Sequence, residues 1–358
     1  MRTSTASTAA AQTVRGFSDA ESFGLFMEAI RELQMYEDEA AKSKSDPALL
    51  NDHLDEAVDA LELCHRVFPD DLLPRYFLGI ALTIQNQRLY AQLLRNRPEM
   101  ATRAAAAIGP LPEKPWPLLD RAQDCFDNAR GDYTGIPELE HSAMLNAANV
   151  WMRLGRKEDY DKAVGILKTL TESTAKHQSG APPPKLTWLR RLESALAAAL
   201  AGSEPDDEAV GFELNVRILR AAAEHMRALR EHASRPRSVA DTDTELTHCR
   251  NLAANIRDPI ARHDVMADAL TKRGMVKYFS AVIDKEAFDQ GLLAQAEQHL
   301  VEALQHKPTW IPARTYLAQV YQAQSRLDKA AEELDAILGK PDTVPDKAAA
   351  PPTFNVPE

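Results

Sequence analysis

The feature that most limits how this chain can fold is a repeated pattern of one small and one large residue. Ala296 is followed four residues later by Leu300, and Ala330 is followed in the same way by Leu334. The two alanines lie 34 residues apart. The same register places further residues in both units: Pro308 and Pro341 after the pattern, and Ile283, Leu317, Ala287 and Tyr321 before it. A fixed period of this length is typical of helix pairs that stack as repeats, because one pair cannot bury its apolar face alone.

The N-terminal part of the chain shows the same spacing. Ala57 is followed by Leu61, and Ala91 lies 34 residues after Ala57. Gly79, flanked by Leu78 and Leu82, lies between them where a first helix is expected. We therefore predict that the small residues of the pattern are buried where two helices cross closely: Ala57, Ala91, Ala296 and Ala330.

This arrangement of small and large residues resembles the tetratricopeptide repeat (TPR) family. The resemblance is clearest at 46–97 and 275–340, weaker at 116–173, and absent at 186–256. It implies antiparallel helix pairs that stack into a right-handed solenoid, interrupted here by irregular insertions. It also implies a concave groove that holds a protein or peptide.

Apolar residues three and four apart, separated by helix breakers, predict an all-α fold of about fifteen helices. Only 14 of the 358 residues are glycine, and almost no stretch alternates as a strand would. The predicted helices are 18–42, 46–68, 72–86, 88–97, 98–108, 116–130, 136–154, 157–173, 185–202, 206–233, 241–256, 258–273, 275–290, 292–306 and 310–339, the last a pair that turns near Ser325.

Proline-rich and polar stretches divide the chain into regions. The expected regions are a disordered leader at 1–17, an N-terminal TPR-like region at 18–173 with a Pro-rich insertion at 98–117, a linker at 174–185, a divergent helical region at 186–256, a C-terminal TPR-like region at 257–340 and a disordered tail at 341–358.

The compartment depends on how the first residues are interpreted. Residues 1–17 are rich in Ser and Thr and contain Arg2 and Arg15 but no acidic residue, as in a transit peptide. Two arginines are few for such a signal, and a disordered leader fits as well. We predict a cytoplasmic protein, with an organelle matrix as the alternative if 1–17 is a transit peptide.

No motif in the sequence indicates an enzyme, a cofactor or a metal site. The glycines form no phosphate-binding loop, and the spacing of His and Cys matches no zinc site. Cys64, Cys125 and Cys249 lie among apolar helical residues and are interpreted as core residues. A net charge of −11 disfavours nucleic-acid binding, and no stretch is apolar enough for membrane insertion.

The resemblance therefore favours a noncatalytic scaffold or adaptor that binds a protein or peptide in the concave groove. Residues 76, 80 and 83 are unusually apolar for a side that would otherwise face solvent. The predicted groove residues are Tyr76, Ile80, Thr83, Tyr278, Lys285, Thr315, Gln319 and Gln322.

The alternative function is a regulatory or sensor solenoid that binds a small or anionic ligand. Residues 214–237 carry six arginines and two acids, whereas residues 18–71 carry fifteen acids and four basic residues. The anion contacts would be Arg217, Arg220, Arg227 and Arg230. The charge separation also predicts that the basic helix meets the acidic unit, either within one chain or between two chains of a homo-oligomer.

Overall fold

The computed structural model describes residues 20–42, 45–97, 117–127, 137–155, 157–177, 205–230, 239–283 and 288–339. Every ordered element among these residues is helical, and no strand occurs among them. The helices are α1 Ala20–Ala40, α2 Pro47–Val67, α3 Leu72–Asn96, α4 Pro117–Asp127, α5 Pro137–Leu154, α6 Lys157–His177, α7 Pro205–Arg230, α8 Val239–Ala253, α9 Pro259–Val282, α10 Gln290–His306, α11 Ile311–Ala323 and α12 Leu327–Leu338.

Consecutive helices pack as pairs, and each pair packs on the next. The pairs are α1 with α2, α3 with α4, α5 with α6, α7 with α8, α9 with α10, and α11 with α12. The first helix of one pair also contacts the first helix of the following pair, as α7 with α9 and α9 with α11. The predicted all-α fold of stacked helix pairs is confirmed.

Local sequence explains where several helices begin. Asp46, Asp258 and Asp289 precede α2, α9 and α10, and each side chain accepts a hydrogen bond from a backbone N–H of the first turn. Such caps satisfy donors that the helix itself leaves free. Pro47 and Pro259 follow two of these caps, where the missing N–H of proline costs no helical hydrogen bond.

The apolar faces of the pairs form a core that runs through the stack. One cluster joins α1 to α7, a second joins α6 to α11, and a third joins the C-terminal pairs to the end of α3. At the predicted boundary near residues 174–185, α6 extends to His177 and packs against α7. The 18–173 and 186–256 regions are therefore in direct contact through α6 and α7.

Two glycines allow close approach of the helices within a pair. A Cβ atom added to Gly79 on α3 would lie 2.6 Å from Phe126 of α4. A Cβ atom added to Gly274 on α9 would lie 2.5 Å from Leu300 of α10. In both pairs the large residue is the fourth after a buried alanine, Ala122 or Ala296. The small-to-large pattern of the second helix thus faces a glycine of the first.

The predicted repeat register is wrong in two first helices. The helices predicted at 72–86 and 88–97 are the single helix α3, so Ala91 lies on the same helix as Gly79 and not on its partner. The helices predicted at 258–273 and 275–290 are mostly the single helix α9, which ends at Val282, just before Ile283. Neither stretch contains a breaker that ends the helix, because Gly274 is accommodated inside α9.

Burial supports the rest of the register. Ala57, Ala91, Ala296 and Ala330 are all buried, as predicted. The predicted turn near Ser325 separates α11 from α12, with Ser325 at a φ of 61°.

Several predictions lie outside the described residues. They concern the leader at 1–17, the insertion at 98–116, the helix at 185–202 and the tail at 341–358. Among the described helices, none is both long and apolar enough to cross a bilayer.

The contact between Gly79 and Phe126 predicts a specific stability effect. Gly79→Ala should lower the free energy of unfolding by about 1–3 kcal/mol, because the added methyl group overlaps a buried ring. Urea unfolding followed by circular dichroism measures the change.

Gly24→Ala is the matched control on α1, where no atom lies within 4 Å of the added Cβ atom. It should leave stability unchanged or raise it by up to about 1 kcal/mol through helix propensity. Equal effects of the two substitutions would contradict the close packing of α3 on α4.

Candidate functional site on the α3 stripe

One face of α3 carries residues that contact three other helix pairs. They are spaced three or four apart, which places them on one side of an α-helix. We call this set the α3 stripe: Tyr76, Ile80, Thr83, Gln87, Tyr90 and Leu94. The stripe includes the N-terminal groove residues predicted from the sequence and continues beyond them for two and a half turns.

The C-terminal half of α3 lies against the last helix pair. The side-chain amide of Gln319 donates a hydrogen bond to the Tyr90 hydroxyl at 2.6 Å. The amide of Gln322 donates to the backbone carbonyl of Leu94 at 3.1 Å. Leu94 belongs to the same apolar cluster as Tyr278. The stack of pairs therefore closes on itself, with the end of α3 held by α11 and α12.

Arginines reinforce this closure at its edge. The buried Arg88 donates hydrogen bonds to the carbonyls of Ile337 and Leu338, at 2.8 and 3.3 Å, at the C-terminal end of α12. Helix ends leave such carbonyls without intrahelical partners, and a cation there also offsets the helix dipole. Arg88 donates to Asn51 of α2 as well, at 2.8 Å. Arg95 forms a more exposed pair with Asp335 at 2.7 Å.

The N-terminal groove residues are less accessible than predicted. Tyr76 is 1% exposed and its hydroxyl accepts a hydrogen bond from Asn146 of α5 at 3.0 Å. Its ring packs edge-on against Phe126 of α4. The prediction of an open groove at Tyr76 is therefore wrong, because α4 and α5 cover it. Ile80 and Thr83 are half-buried and retain some contact with solvent.

The C-terminal groove residues are also covered by the chain itself. Tyr278, Thr315, Gln319 and Gln322 are all buried. Burial raises the pKa of Tyr278 well above its usual value. These side chains were predicted to face a groove, and the structure places the end of α3 against two of them. Lys285 lies outside the described residues.

The arginine-rich helix α7 has partners close by. Arg220 donates a hydrogen bond to Thr171 at 3.2 Å and pairs with Glu224 at 3.5 Å. Arg227 pairs with Asp161 of α6 at 3.8 Å. These contacts are with α6 and α7 and not with the acidic unit at 18–71. Arg217 is half-buried, and the side chain of Arg230 lies outside the described residues.

The three cysteines are buried and have free thiols, as the sequence predicted for core residues. Burial raises the pKa of the Cys125 thiol to about 11. It raises the pKa of Cys249 to about 11 as well. Only a thiolate acts as a nucleophile, so these two thiols are unreactive at neutral pH.

The structure also brings together three metal-ligating side chains that sequence spacing did not reveal. Glu32 of α1 lies beside His53 and Glu56 of α2, with their ligand atoms within 4.8 Å of one another. Glu32 is already hydrogen-bonded to His53 at 2.8 Å and paired with Arg31 at 2.9 Å. The arrangement is explained as an ion pair between two packed helices.

The sequence did contain a signal for the closing contact. Residues 80–97 include no glycine or proline, so a single helix through Tyr90 and Leu94 fits the printed sequence. The 34-residue spacing of Ala57 and Ala91 favoured two helices instead. What α3 contacts could not be inferred, because its partners lie more than 200 residues away.

The structure thus defines an α-solenoid of stacked helix pairs, and comparisons with known proteins agree with that class. The family whose model matches is described as tetratricopeptide repeat, and the match covers residues 287–346. The chain is a TPR-like solenoid whose α10, α11 and α12 lie within that match.

Other comparisons add little. A search of the curated proteins gives no significant match. Among solved structures, a chain of Naa15/Naa10 bound to HypK-THB is similar, with 17% sequence identity and a TM-score of 0.16. The alignment covers 88% of this chain and 55% of that one, so this chain spans about half of its length.

The closing contact predicts unequal roles for two arginines on α3. Arg88→Ala should lower the free energy of unfolding by about 1.5–3 kcal/mol, since it removes charged hydrogen bonds to buried carbonyls. Amide hydrogen exchange in 327–338 should accelerate, because α12 loses its contact with α3.

Arg95→Ala provides the comparison on the same helix. Its ion pair is exposed, so the expected loss is only about 0–1 kcal/mol. If Arg88→Ala leaves both stability and exchange at the Arg95→Ala level, Arg88 does not hold the closure.

Proposed function

We propose that this protein is a noncatalytic scaffold or adaptor that binds a protein or peptide partner on the concave side of its TPR-like solenoid. The observation that carries the proposal is that the last helix pair already holds a helix, the end of α3. The binding elements are an apolar surface with Tyr278 and two glutamine amides. A partner helix with a tyrosine and a leucine at matching positions would fit the same surface.

The fit of α3 leaves acceptors available to such a partner. The Oε1 atoms of Gln319 and Gln322 are buried and have no hydrogen-bond partner among the described residues. An unsatisfied buried acceptor costs about 1–3 kcal/mol. A partner that supplies donors to these oxygens would therefore compete with α3 for the surface.

The alternative, an anionic ligand on α7, has weaker support. Two of its arginines already pair with carboxylates, Arg220 with Glu224 and Arg227 with Asp161. A ligand there would have to compete with those acids. The scaffold proposal requires no such exchange of charge.

A labelled peptide of residues 85–97 tests the proposal directly. In the wild-type chain, tethered α3 competes at an effective concentration in the range of about 1 mM, so the peptide should bind poorly. In Arg88→Ala/Leu94→Ala the closure is weakened, and fluorescence anisotropy should show binding at least about fivefold tighter. A short isolated helix is marginal in water, so the absolute affinity will be low.

Two further variants make the result interpretable. Leu89→Ala/Arg121→Ala changes an exposed leucine and an arginine on α4, and peptide binding should match wild type. Adding Gln319→Ala and Gln322→Ala to the weakened variant should abolish binding. Absence of binding to a weakened variant that circular dichroism shows to be folded would overturn the proposal.

A further inference from the structure

Four helices bring polar side chains together at a second place along the α3 stripe. The residues are Gln87 of α3, Arg153 at the end of α5, Asp268 and Lys272 of α9, and Tyr316 of α11. We call them the inner charge cluster. They come from parts of the chain up to 229 residues apart in sequence and from four different helix pairs.

Arg153 is held by a neutral partner. When the Gln87 amide is oriented with its oxygen toward the guanidinium, that oxygen accepts hydrogen bonds from both Nη atoms, at 3.0 and 2.7 Å. A neutral amide orients the guanidinium without cancelling its charge. The remaining N–H donors of Arg153 are directed by this contact, since the guanidinium is planar and rigid.

The carboxylate in the cluster offsets only one of the two cations. Asp268 lies 3.9 Å from the ammonium group of Lys272, one turn away on the same helix. Asp264, the next acid toward the start of α9, pairs with Lys307 at 2.8 Å and is compensated there. With Arg153 and Lys272 against Asp268, the cluster carries one positive charge in excess.

The surroundings make that excess charge costly while leaving the cluster accessible. Burial lowers the pKa of Arg153 and of Lys272 and raises the pKa of Asp268. All three shifts disfavour the charged form, as expected where water is scarce. The side chains of Lys272 and Asp268 are nevertheless 12% and 21% exposed, so a small molecule can reach them.

We infer that the inner charge cluster is a binding site for a single phosphate or carboxylate group of a small molecule. Arg153 supplies directed N–H donors and Lys272 supplies a second positive charge. Tyr316 interacts electrostatically with both Arg153 and Asp268 and adds a hydroxyl donor at the same place. This function goes beyond scaffolding, since it requires no protein partner and uses neither Gln319 nor Gln322.

The bound anion would link separate parts of the stack. Arg153 belongs to the third helix pair and Lys272 to the fifth, whereas Gln87 belongs to the second. A ligand that contacts α5 and α9 together would stabilise the closed arrangement by mass action. Binding should therefore also slow amide exchange in α5 and α9.

Isothermal titration of the full chain with inorganic phosphate tests the site, with acetate in a second titration and chloride at matched ionic strength as the reference. Wild type should bind phosphate or acetate saturably and chloride not at all. Arg153→Gln should weaken binding at least about tenfold, because it removes a charged hydrogen-bond donor. Asp268→Asn should strengthen binding severalfold, a change that a purely structural role for Asp268 would not produce.

Control and alternative outcomes are defined by charge and by folding. Arg121→Gln removes an exposed, paired arginine far from the cluster and should bind as wild type does. If Arg153→Gln does not fold, Lys272→Gln and Asp268→Asn still report opposite changes in affinity. The inference is overturned if wild type binds neither anion saturably, if chloride binds equally, or if Arg121→Gln weakens binding as much as Lys272→Gln does.

Discussion

The contact between the end of α3 and the last helix pair is the constraint on which the rest of the structure depends. Without it, six helix pairs would form an open stack in which each pair meets only its neighbours. Arg88 fixes the contact by donating to two carbonyls that α12 cannot satisfy itself. Gly339, which follows α12 with a φ of 90°, lies so close to Pro47 that a Cβ atom would approach its nitrogen to 2.8 Å. The first, second and last pairs thus meet at one place.

This closure explains which parts of the fold could be predicted from sequence. The second helices of the repeats follow from local pattern, because Ala296-x3-Leu300 and Ala330-x3-Leu334 are contiguous in the chain. The first helices do not, since the residue that faces Leu300 is Gly274 and not one of those thirteen residues before Ala296. Longer first helices displace the glycine from the spacing of a regular repeat. Ala91 obeys the 34-residue period for a different reason, as it packs in the C-terminal cluster.

The candidate site illustrates the same limit. Helical spacing alone placed Tyr76, Ile80 and Thr83 on one face, and the structure places that face toward other pairs. Spacing could not say whether the face was empty, because its covering residues come from α4, α5 and α11. Arg153 and Lys272 gave no sequence signal at all, being 119 positions apart and part of no motif. Binding surfaces in a stacked fold arise from register between distant pairs, so they appear only with tertiary structure.

The central claim is that α3 closes the stack within one chain, and zero-length carbodiimide cross-linking of an Arg95→Lys variant tests it most directly. The reagent joins an amine only to a carboxylate in contact with it, and Arg95 contacts Asp335 at 2.7 Å. The native pair of Lys307 and Asp264, at 2.8 Å, serves as an internal positive control. Mass spectrometry of the monomer should find position 95 joined to Asp335, whereas Arg97→Lys should give no such product. Detection of the Lys307–Asp264 link without the link from position 95 would show that α3 does not close the stack.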